Sequence, residues 1–593
     1  MDDRPPIAVI GMACRAAGVE TLTDYWDMID KADQRFTVVP AGRWHGLDPA
    51  ATPQASLLER IDEFDAPFFR ISPRMAAWMD PQQRMMLELA WHAVENAGID
   101  PDALDGAPVA TFIGSFMSDY RERMSATGHY DGAAFPGTMT AFAANRISYG
   151  FGWTGPSMVI DSACSSSLSA LALAVQGLWA GEFPMALVGA PSIISHGYYA
   201  SVAFRGGALS ATGRSVPFSA GRDGYVRGEG GACVLLKPLP RALADGDPVH
   251  AVIHAAGVSH NARGGGLTGT DVAGQQLLMR DTATRAGLSA DDLGYLEAHG
   301  SGTPAGDAVE IAALAGTVTA PAGPDGALWV GSVKANIGHL EAAAGLVGLV
   351  KTALMLQRET IVPIAGLTLP DPALPVGGSP VRVAVRHQPW RRGSRPRLAG
   401  VNSFGLGGAM AHVIVGEAPL PPAAGAFAVP SSEAGPFVVP LSGADPAAVA
   451  RLAAQLLAGI EHQPGLTVAS VAHTLQTARR AQRSRRVVLA RDLGELRAGL
   501  RRIIGGESDP EIALSEAGPA AGSAAGSVVG PAAGSVAAFL RGGEPDWAAA
   551  WPDDSRPARV HLPGTPFQRR SYWFDRVPPP PAGPAVTYSG EHR

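Results

Sequence analysis

Three side chains able to do nucleophilic or acid–base chemistry stand where an apolar run gives way to a turn. Cys164 lies in Asp161-Ser162-Ala163-Cys164-Ser165-Ser166-Ser167-Leu168, between the β-rich Ser157-Met158-Val159-Ile160 and an Ala- and Leu-rich helical stretch over 168–178. A cysteine there meets the unpaired N–H groups and the positive end of a helix, which favour a thiolate nucleophile. The competing reading is a small buried residue that only fills space. His299 sits in Glu297-Ala298-His299-Gly300-Ser301-Gly302-Thr303, and His339 in Lys334-Ala335-Asn336-Ile337-Gly338-His339-Leu340-Glu341. Small neighbours permit close backbone approach, and the hydroxyls offer hydrogen bonds to a ligand. One cysteine with two histidines at such junctions points to covalent catalysis with acid–base support. A metal set is the weaker alternative, because no pair has H-x-x-x-H or C-x-x-C spacing.

The elements that must carry these residues alternate between strand and helix. Apolar runs at 7–12, 109–114, 158–160, 186–189, 231–236, 249–257, 293–298 and 328–333 read as buried strands. Helical patterns fall at 25–29, 81–97, 141–149, 275–287, 307–316 and 338–356, with Asp80-Pro81 as a start signal and Gly98 and Gly287 as stops. This is an α/β architecture with sheets buried on both faces. The two halves echo each other weakly: each runs from apolar strands into small-residue helices with a polar residue at a strand end.

A chain of 593 residues exceeds one ordinary core, so two or three domains are expected. The net charge of −7 argues against a nucleic-acid binder. Three cysteines, Cys14, Cys164 and Cys233, give no disulfide framework and suit a reducing compartment. No signal peptide or membrane span is read at the N-terminus, so a cytoplasmic protein is expected. Pro419-Leu420-Pro421-Pro422 opens a linker. Strands at 437–441 and 485–490 with helices at 446–460, 468–480 and 493–504 form a small α/β subdomain. The Ala/Gly/Ser-rich 518–535 reads as a flexible tether, ordered signals return over 536–551 and 560–574, and the prolines at 578–581 begin a loose tail.

Those three motifs resemble the active-site motifs of β-ketoacyl synthase domains of modular polyketide synthases. Met79-Asp80-Pro81-Gln82-Gln83-Arg84 and Asn402-Ser403-Phe404-Gly405-Leu406-Gly407-Gly408 resemble the same family, and the likeness runs over 7–417. It implies a thiolase fold of duplicated α/β layers over 1–418, with a flanking α/β subdomain over 419–517, and a homodimer. It implies that Cys164 takes an acyl chain from the phosphopantetheine arm of an acyl carrier protein, with no cofactor bound to the enzyme itself. His299 and His339 would then promote decarboxylation of a malonyl-type extender and stabilise the enolate, supported by Lys334. The N–H groups of Cys164 and Phe404 would form the oxyanion hole. Ser301, Thr303, Asn402, Gly405, Leu406 and Met410 would border substrate or pantetheine, while Asp307 and Glu310 would hold the loop.

The chain departs from the family where Ala409-Met410-Ala411-His412 replaces Thr-Asn-Ala-His, and at Leu406, Ser301 and Ser162. A substrate or an outcome that differs from plain elongation is therefore the alternative to condensation, and freestanding ketosynthases that cyclise a tethered chain resemble this architecture. Residues 536–577 resemble the segment that follows an acyltransferase and wraps back on the ketosynthase. No Gly-x-Ser-x-Gly elbow and no carrier motif occurs, so the carrier partner is expected in trans. The basic runs at 391–397 and 479–486 read as a solvated face or, next, as a docking surface for an acidic carrier.

Overall fold

The computed structural model describes residues 4–48, 54–128, 131–262, 266–420, 436–462, 465–506, 532–547, 551 and 556–576. Eleven strands form its central sheet: β1 Ile7–Ala16, β2 Val109–Gly114, β3 Ser157–Ile160, β4 Met185–Ser192, β5 Gly230–Pro238, β6 Ala251–His260, β7 Leu293–Glu297, β8 Leu328–Gly331, β9 Val381–Val383, β10 Leu398–Phe404 and β11 Ala409–Glu417. Their spatial order is β9-β8-β7-β10-β11-β6-β1-β5-β4-β2-β3. The first half reads β3-β2-β4-β5-β1 and the second β8-β7-β10-β11-β6, so corresponding strands take corresponding places. Even the pairing sense repeats: β2 is parallel to β3 and β4, as β7 is to β8 and β10. β4–β5 and β5–β1 are antiparallel, as are β10–β11 and β11–β6. The weak echo in the sequence is a duplication in the fold, and the halves meet where β1 pairs with β6 through Ile7 and Ile253.

Apart from the edge strand β3, where Met158 is exposed, each half-sheet is largely buried on both faces, which is why its strands are mostly apolar rather than alternating. Along β1, Ile7, Val9, Met12, Cys14 and Ala16 turn to one core and Ala8, Ile10 and Ala13 to another. A bulge between Val9 and Gly11 shifts the alternation by one residue. The first core is the middle of the molecule, filled by helices α2 (Ser166–Ala180) and α4 (Ala344–Gln357). Helix α1 (Pro81–Asn96) packs on the outer face of the first half and α3 (Pro304–Ala315) on that of the second. The result is five layers, helix–sheet–helices–sheet–helix. The stretch Ala163–Ala180 is long and apolar enough to cross a membrane, but 72% of it is buried in this middle layer.

Residues 437–504 form the flanking unit. Strands β12 (Phe437–Gly443) and β13 (Ser484–Ala490) pair antiparallel, with α5 (Pro446–His462), α6 (Val468–Thr477) and α7 (Leu493–Ile504) on one face around Leu452, Leu456, Leu475 and Leu496. Helix α8 (Ala532–Leu540) covers the other face with Val536, Phe539 and Leu540. It begins inside the stretch expected to be a tether, because a run of Ala with Val, Phe and Leu forms a helix once one face is covered. The rest of that tether, most of the linker and the proline tail lie outside the described residues.

From Arg556 to Arg576 the chain returns across the first half. The Arg559 guanidinium donates to the Gly98 carbonyl (3.0 Å), Thr565 N–H and hydroxyl both donate to Glu95 (2.7 Å each), and Arg569 binds Glu88 and Glu20 (2.8 Å each). Arg570–Ser571 pairs with Glu63–Phe64, and Trp573 and Phe574 enter the core beside α1. One basic run must be reread accordingly. Arg479 is buried and donates to the carbonyls of Glu95 (2.8 Å) and Pro563 (2.7 Å), and Arg485 to those of Phe539 (2.8 Å) and Gly543 (2.7 Å). These two arginines satisfy carbonyls inside the molecule and present no face to solvent or a partner. Arg397 likewise closes on Glu417, whereas Arg391 and Arg395 stay exposed.

Gly114 at the end of β2 lets the strand touch the start of α2: a Cβ there would lie 2.6 Å from the Ser167 amide nitrogen and 2.7 Å from the Ser166 carbonyl carbon. Gly114→Ala is expected to destabilise the protein by about 1–3 kcal/mol through this overpacking. Denaturant unfolding measures it, and an unchanged midpoint would show that the contact is slack.

Candidate active site

The turn before α2 is built from small residues that bond to themselves. Ala163 adopts φ +54°, a left-handed conformation disfavoured for a residue with Cβ. It is held by Asp161 Oδ1, which accepts from Ala163 N–H (3.0 Å), and by the Ser166 hydroxyl, which donates to the Ala163 carbonyl (2.6 Å) and accepts from Ser162 N–H (2.9 Å). The Ser403 hydroxyl on β10 donates to the Cys164 carbonyl (2.7 Å). Cys164 thus sits in a 3₁₀ turn, Ala163–Ser165, pointed into the middle layer and 9% exposed.

His299 leaves the end of β7. Glu310 on α3 accepts the N–H groups of His299 (2.9 Å) and Gly300 (2.8 Å) and the Asn402 side-chain amide (2.9 Å). Asp307 accepts from Gly302 (3.0 Å) and Phe218 (2.8 Å). These two carboxylates hold the loop, as the family resemblance implied. His339 follows a left-handed Gly338 (φ +69°), and its ring lies 5.4 Å from that of His299, edge to face. Lys334 opens the preceding turn and is buried.

The hydrogen bonds fix the tautomers. Phe404 N–H donates to His299 Nδ1 (3.3 Å), and Glu341 N–H donates to His339 Nδ1 (3.0 Å). A backbone N–H can only donate, so each ring keeps its proton on Nε2. Burial first, and then the Lys334 charge, holds both imidazoles well below their usual pKa and hence neutral. Lys334 is itself lowered by burial, against the attraction of Glu297 and Glu310. The site therefore offers two neutral N–H donors.

Two expectations need correction. Cys164 is not a resting thiolate: burial, reinforced by Glu341, pushes its pKa up to about 12 and outweighs the helix end. Phe404 N–H is engaged by His299, and the amides that face the sulfur are those of Cys164 and Leu406. Leu406 lies on an exposed turn beside the sulfur. Asn402 and Met410, expected to border substrate or pantetheine, are both buried. Asn402 is a buried strut whose amide oxygen accepts from His412 (2.7 Å). Met410 shares a face of β11 with His412 and Ile414, and its Sδ-methyl packs near Gly274 in the outer helical layer. Ser301 and Thr303 bond each other (3.0 Å) on the loop after His299. Gly405 approaches the Ser162 carbonyl so closely that a Cβ would lie 2.3 Å away.

Sequence reasoning missed a second acidic layer. Glu341 Oε2 lies 3.9 Å from Cys164 Sγ, and its Oε1 accepts from Arg227 Nε (3.1 Å). Tyr225 meets the His339 ring at 5.1 Å, edge to face. Asp119 is buried and faces the Arg227 charge and the His196 backbone. Only the position of Glu341 two residues after His339 could have signalled this. Cys164, His339 and Glu341 bring possible ligand atoms within 4.8 Å of one another. They do not suit a metal, since Glu341 carries a guanidinium and His339 keeps its Nε2 proton.

Family models match most of the chain: the β-ketoacyl synthase N-terminal domain over residues 4–242, its C-terminal domain over 250–368 and the ketoacyl-synthetase C-terminal extension over 370–487. The chain belongs to the β-ketoacyl synthase family. It is 38% identical over 531 residues to a chain of the phenolphthiocerol/phthiocerol polyketide synthase of Mycobacterium tuberculosis, covering 86% of this chain and 34% of that one. It is 42% identical over 436 residues to polyketide synthase GfsA of Streptomyces halstedii, covering 70% and 6%. It thus spans about a third or less of these relatives' length. Among solved structures, the ketosynthase from module 6 of the Bacillus subtilis bacillaene synthase superposes with a TM-score of 0.84 at 28% identity, covering 96% of this chain and all of that one. The oxazolomycin ketosynthase domain OzmH KS7 of Streptomyces albus gives 0.83 at 33% identity, covering 96% and 98%. This is a modular polyketide ketosynthase, a transferase with the thiolase fold.

In this ketosynthase Asp119 has its pKa raised to about 7, chiefly by burial. The native state holds a proton that the unfolded chain has released above about pH 4, so Asp119 makes stability fall as pH rises toward 7. Asp119→Asn is expected to be more stable than wild type at pH 8 and to lose that advantage at pH 4. Urea unfolding at the two pH values measures this, and an advantage that does not grow with pH would contradict it.

Proposed function

We propose that this ketosynthase takes an acyl chain from the phosphopantetheine arm of a separate acyl carrier protein onto Cys164, then extends it by decarboxylative Claisen condensation with a malonyl-type extender. The observation that carries the reading is the pair of neutral imidazoles, each with Nδ1 engaged by a backbone N–H and Nε2–H left to donate. As the extender loses CO₂, charge develops on its thioester oxygen, and two preset donors in a water-poor site stabilise it there. Neutral donors suit this step, because a buried imidazolium would carry its own desolvation cost. The enolate carbon then attacks the Cys164 thioester, whose oxyanion meets the amides of Cys164 and Leu406. Burial, reinforced by the nearby Lys334 charge, keeps both rings uncharged. The Ser301–Thr303 hydroxyl pair lies on the loop where a pantetheine amide would pass.

A homodimer is part of this reading. β3 is the edge of the eleven-stranded sheet, with Met158 exposed on it and Tyr149, Phe135 and Met139 exposed nearby. An uncovered edge with an apolar surround is a surface for a second copy.

Intact-mass measurement tests the reading with an acyl-loaded carrier protein, with and without a malonyl-loaded carrier. Wild type is expected to gain the acyl mass, lose it as β-ketoacyl product when malonyl carrier is added, and show neither after Cys164→Ala. Release of a cyclised product without malonyl carrier would place the enzyme among cyclising ketosynthases. No acylation would refute the reading.

A further inference from the structure

Acylation requires the Cys164 thiol to lose its proton, since the thiolate is the nucleophile. The histidines are poor acceptors for it. His299 and His339 each have their lone-pair nitrogen, Nδ1, occupied by a backbone N–H and carry a proton on Nε2. Lys334 is a donor. Glu310 and Asp307 are committed to loop amides. The carboxylate at the sulfur is Glu341, with Oε2 3.9 Å from Sγ.

The backbone at Glu341 is unusual. It occupies the left-handed region at φ +44°, a conformation that costs of order 1–3 kcal/mol for a residue with Cβ. That geometry aims its N–H at His339 and its side chain at Cys164. Its Oε1 accepts from Arg227 Nε at 3.1 Å in an almost fully buried ion pair, leaving Oε2 toward the thiol. A buried pair of this kind gains little stability over apolar packing, so its presence points to another task.

We propose that Glu341 is a catalytic residue of the acylation half-reaction, the base that accepts the Cys164 proton, and that Arg227 is its positioning residue. The inference rests on Cys164 being the acyl acceptor. The thiol S–H bond breaks and its proton passes to Glu341 Oε2, and the sulfur lone pair forms the new bond to the thioester carbonyl carbon. The bond from that carbon to the pantetheine sulfur then breaks, and the departing thiolate takes the proton back from Glu341. The carboxylate is regenerated, and no other reactant is needed. The histidines stay protonated on Nε2 for the condensation that follows.

The pH dependence distinguishes this from a structural role. The groups facing Glu341 are Arg227, Lys334, His339, Cys164, Tyr225 and Asp119. Burial raises Glu341 above the ordinary carboxylate range while Arg227 opposes the rise, and the thiol lies far higher. The rate of Cys164 acylation by an acyl-pantetheine thioester should be followed by intact mass from about pH 5.5 to 9.5, for wild type, Glu341→Gln and Glu341→Asp. In wild type the rate is expected to rise with one deprotonation and level off well below the thiol's range. Glu341→Gln, which preserves an acceptor for Arg227, is expected to be slower by about 100-fold at pH 7, recovering about tenfold per pH unit as the thiol itself ionises. Glu341→Asp is expected to be intermediate and to keep the wild-type plateau. If Glu341→Gln fails to fold, the wild-type profile and Glu341→Asp decide. Overturning results are a Gln variant that acylates like wild type, or a wild-type rate that climbs through pH 9 without levelling. Absence of wild-type acylation at every pH would instead remove the acyl-acceptor reading itself.

Discussion

Everything at the reaction centre depends on how closely α2 and α4 can lie side by side between the half-sheets. A Cβ on Gly345 would fall 2.4 Å from the Leu168 side chain, so α4 can meet α2 only because that position is glycine. The contact brings together the starts of two helices from two halves of a duplicated fold. One start carries Cys164, and the turn before the other carries His339 and Glu341. Neither half holds a complete site. The polar residues converge at the joint of the duplication, where strand ends release their side chains and the apolar filling of the middle layer stops.

Around that joint the chain places buried charge in a consistent way. Glu310, Asp307 and Glu297 are sequestered, and each is satisfied mainly by backbone N–H groups or by buried side chains; Glu297 takes Lys351 at 2.8 Å, Tyr295 and the Val333 amide. These anchors fix loops that have no regular hydrogen-bonding pattern of their own. Lys334 stands among them, and its charge adds to burial in keeping two imidazoles neutral.

Much of this is legible in the sequence, and for a physical reason. Cys164, His299 and His339 stand out because a reactive side chain at a strand end needs small neighbours, and runs of Gly, Ser and Ala are visible one residue at a time. The duplicated strand order is only a faint echo, because order in a sheet is set by which edges meet, which a linear pattern does not record. Glu341 is hidden since its role depends on Arg227, 114 residues earlier. Phe404 and Leu406 are hard to tell apart because φ and ψ decide which amide of a glycine-rich turn faces a sulfur. The surroundings of Met410 are hidden for a similar reason: residues alternate faces along β11, and its register puts it with the outer helices. The 479–486 arginines look like a surface patch in composition, yet two are internal struts, since a guanidinium can satisfy several carbonyls at once.

The returning segment has a consequence for the chain's topology. α7 ends at Ile504 and α8 starts at Ala532, and both are fixed to one body by the packing of β12, β13 and the strap over α1. The points where the chain leaves α7 and re-enters at α8 are thus both pinned to one body. Between two pinned points, the closure entropy of a flexible connection grows only logarithmically, so doubling such a connection costs about 0.6 kcal/mol. The molecule therefore has a socket in its contour where a whole domain could be gained or lost with little effect on the folding of what surrounds it. Modularity here is a property of where the strap is sewn down.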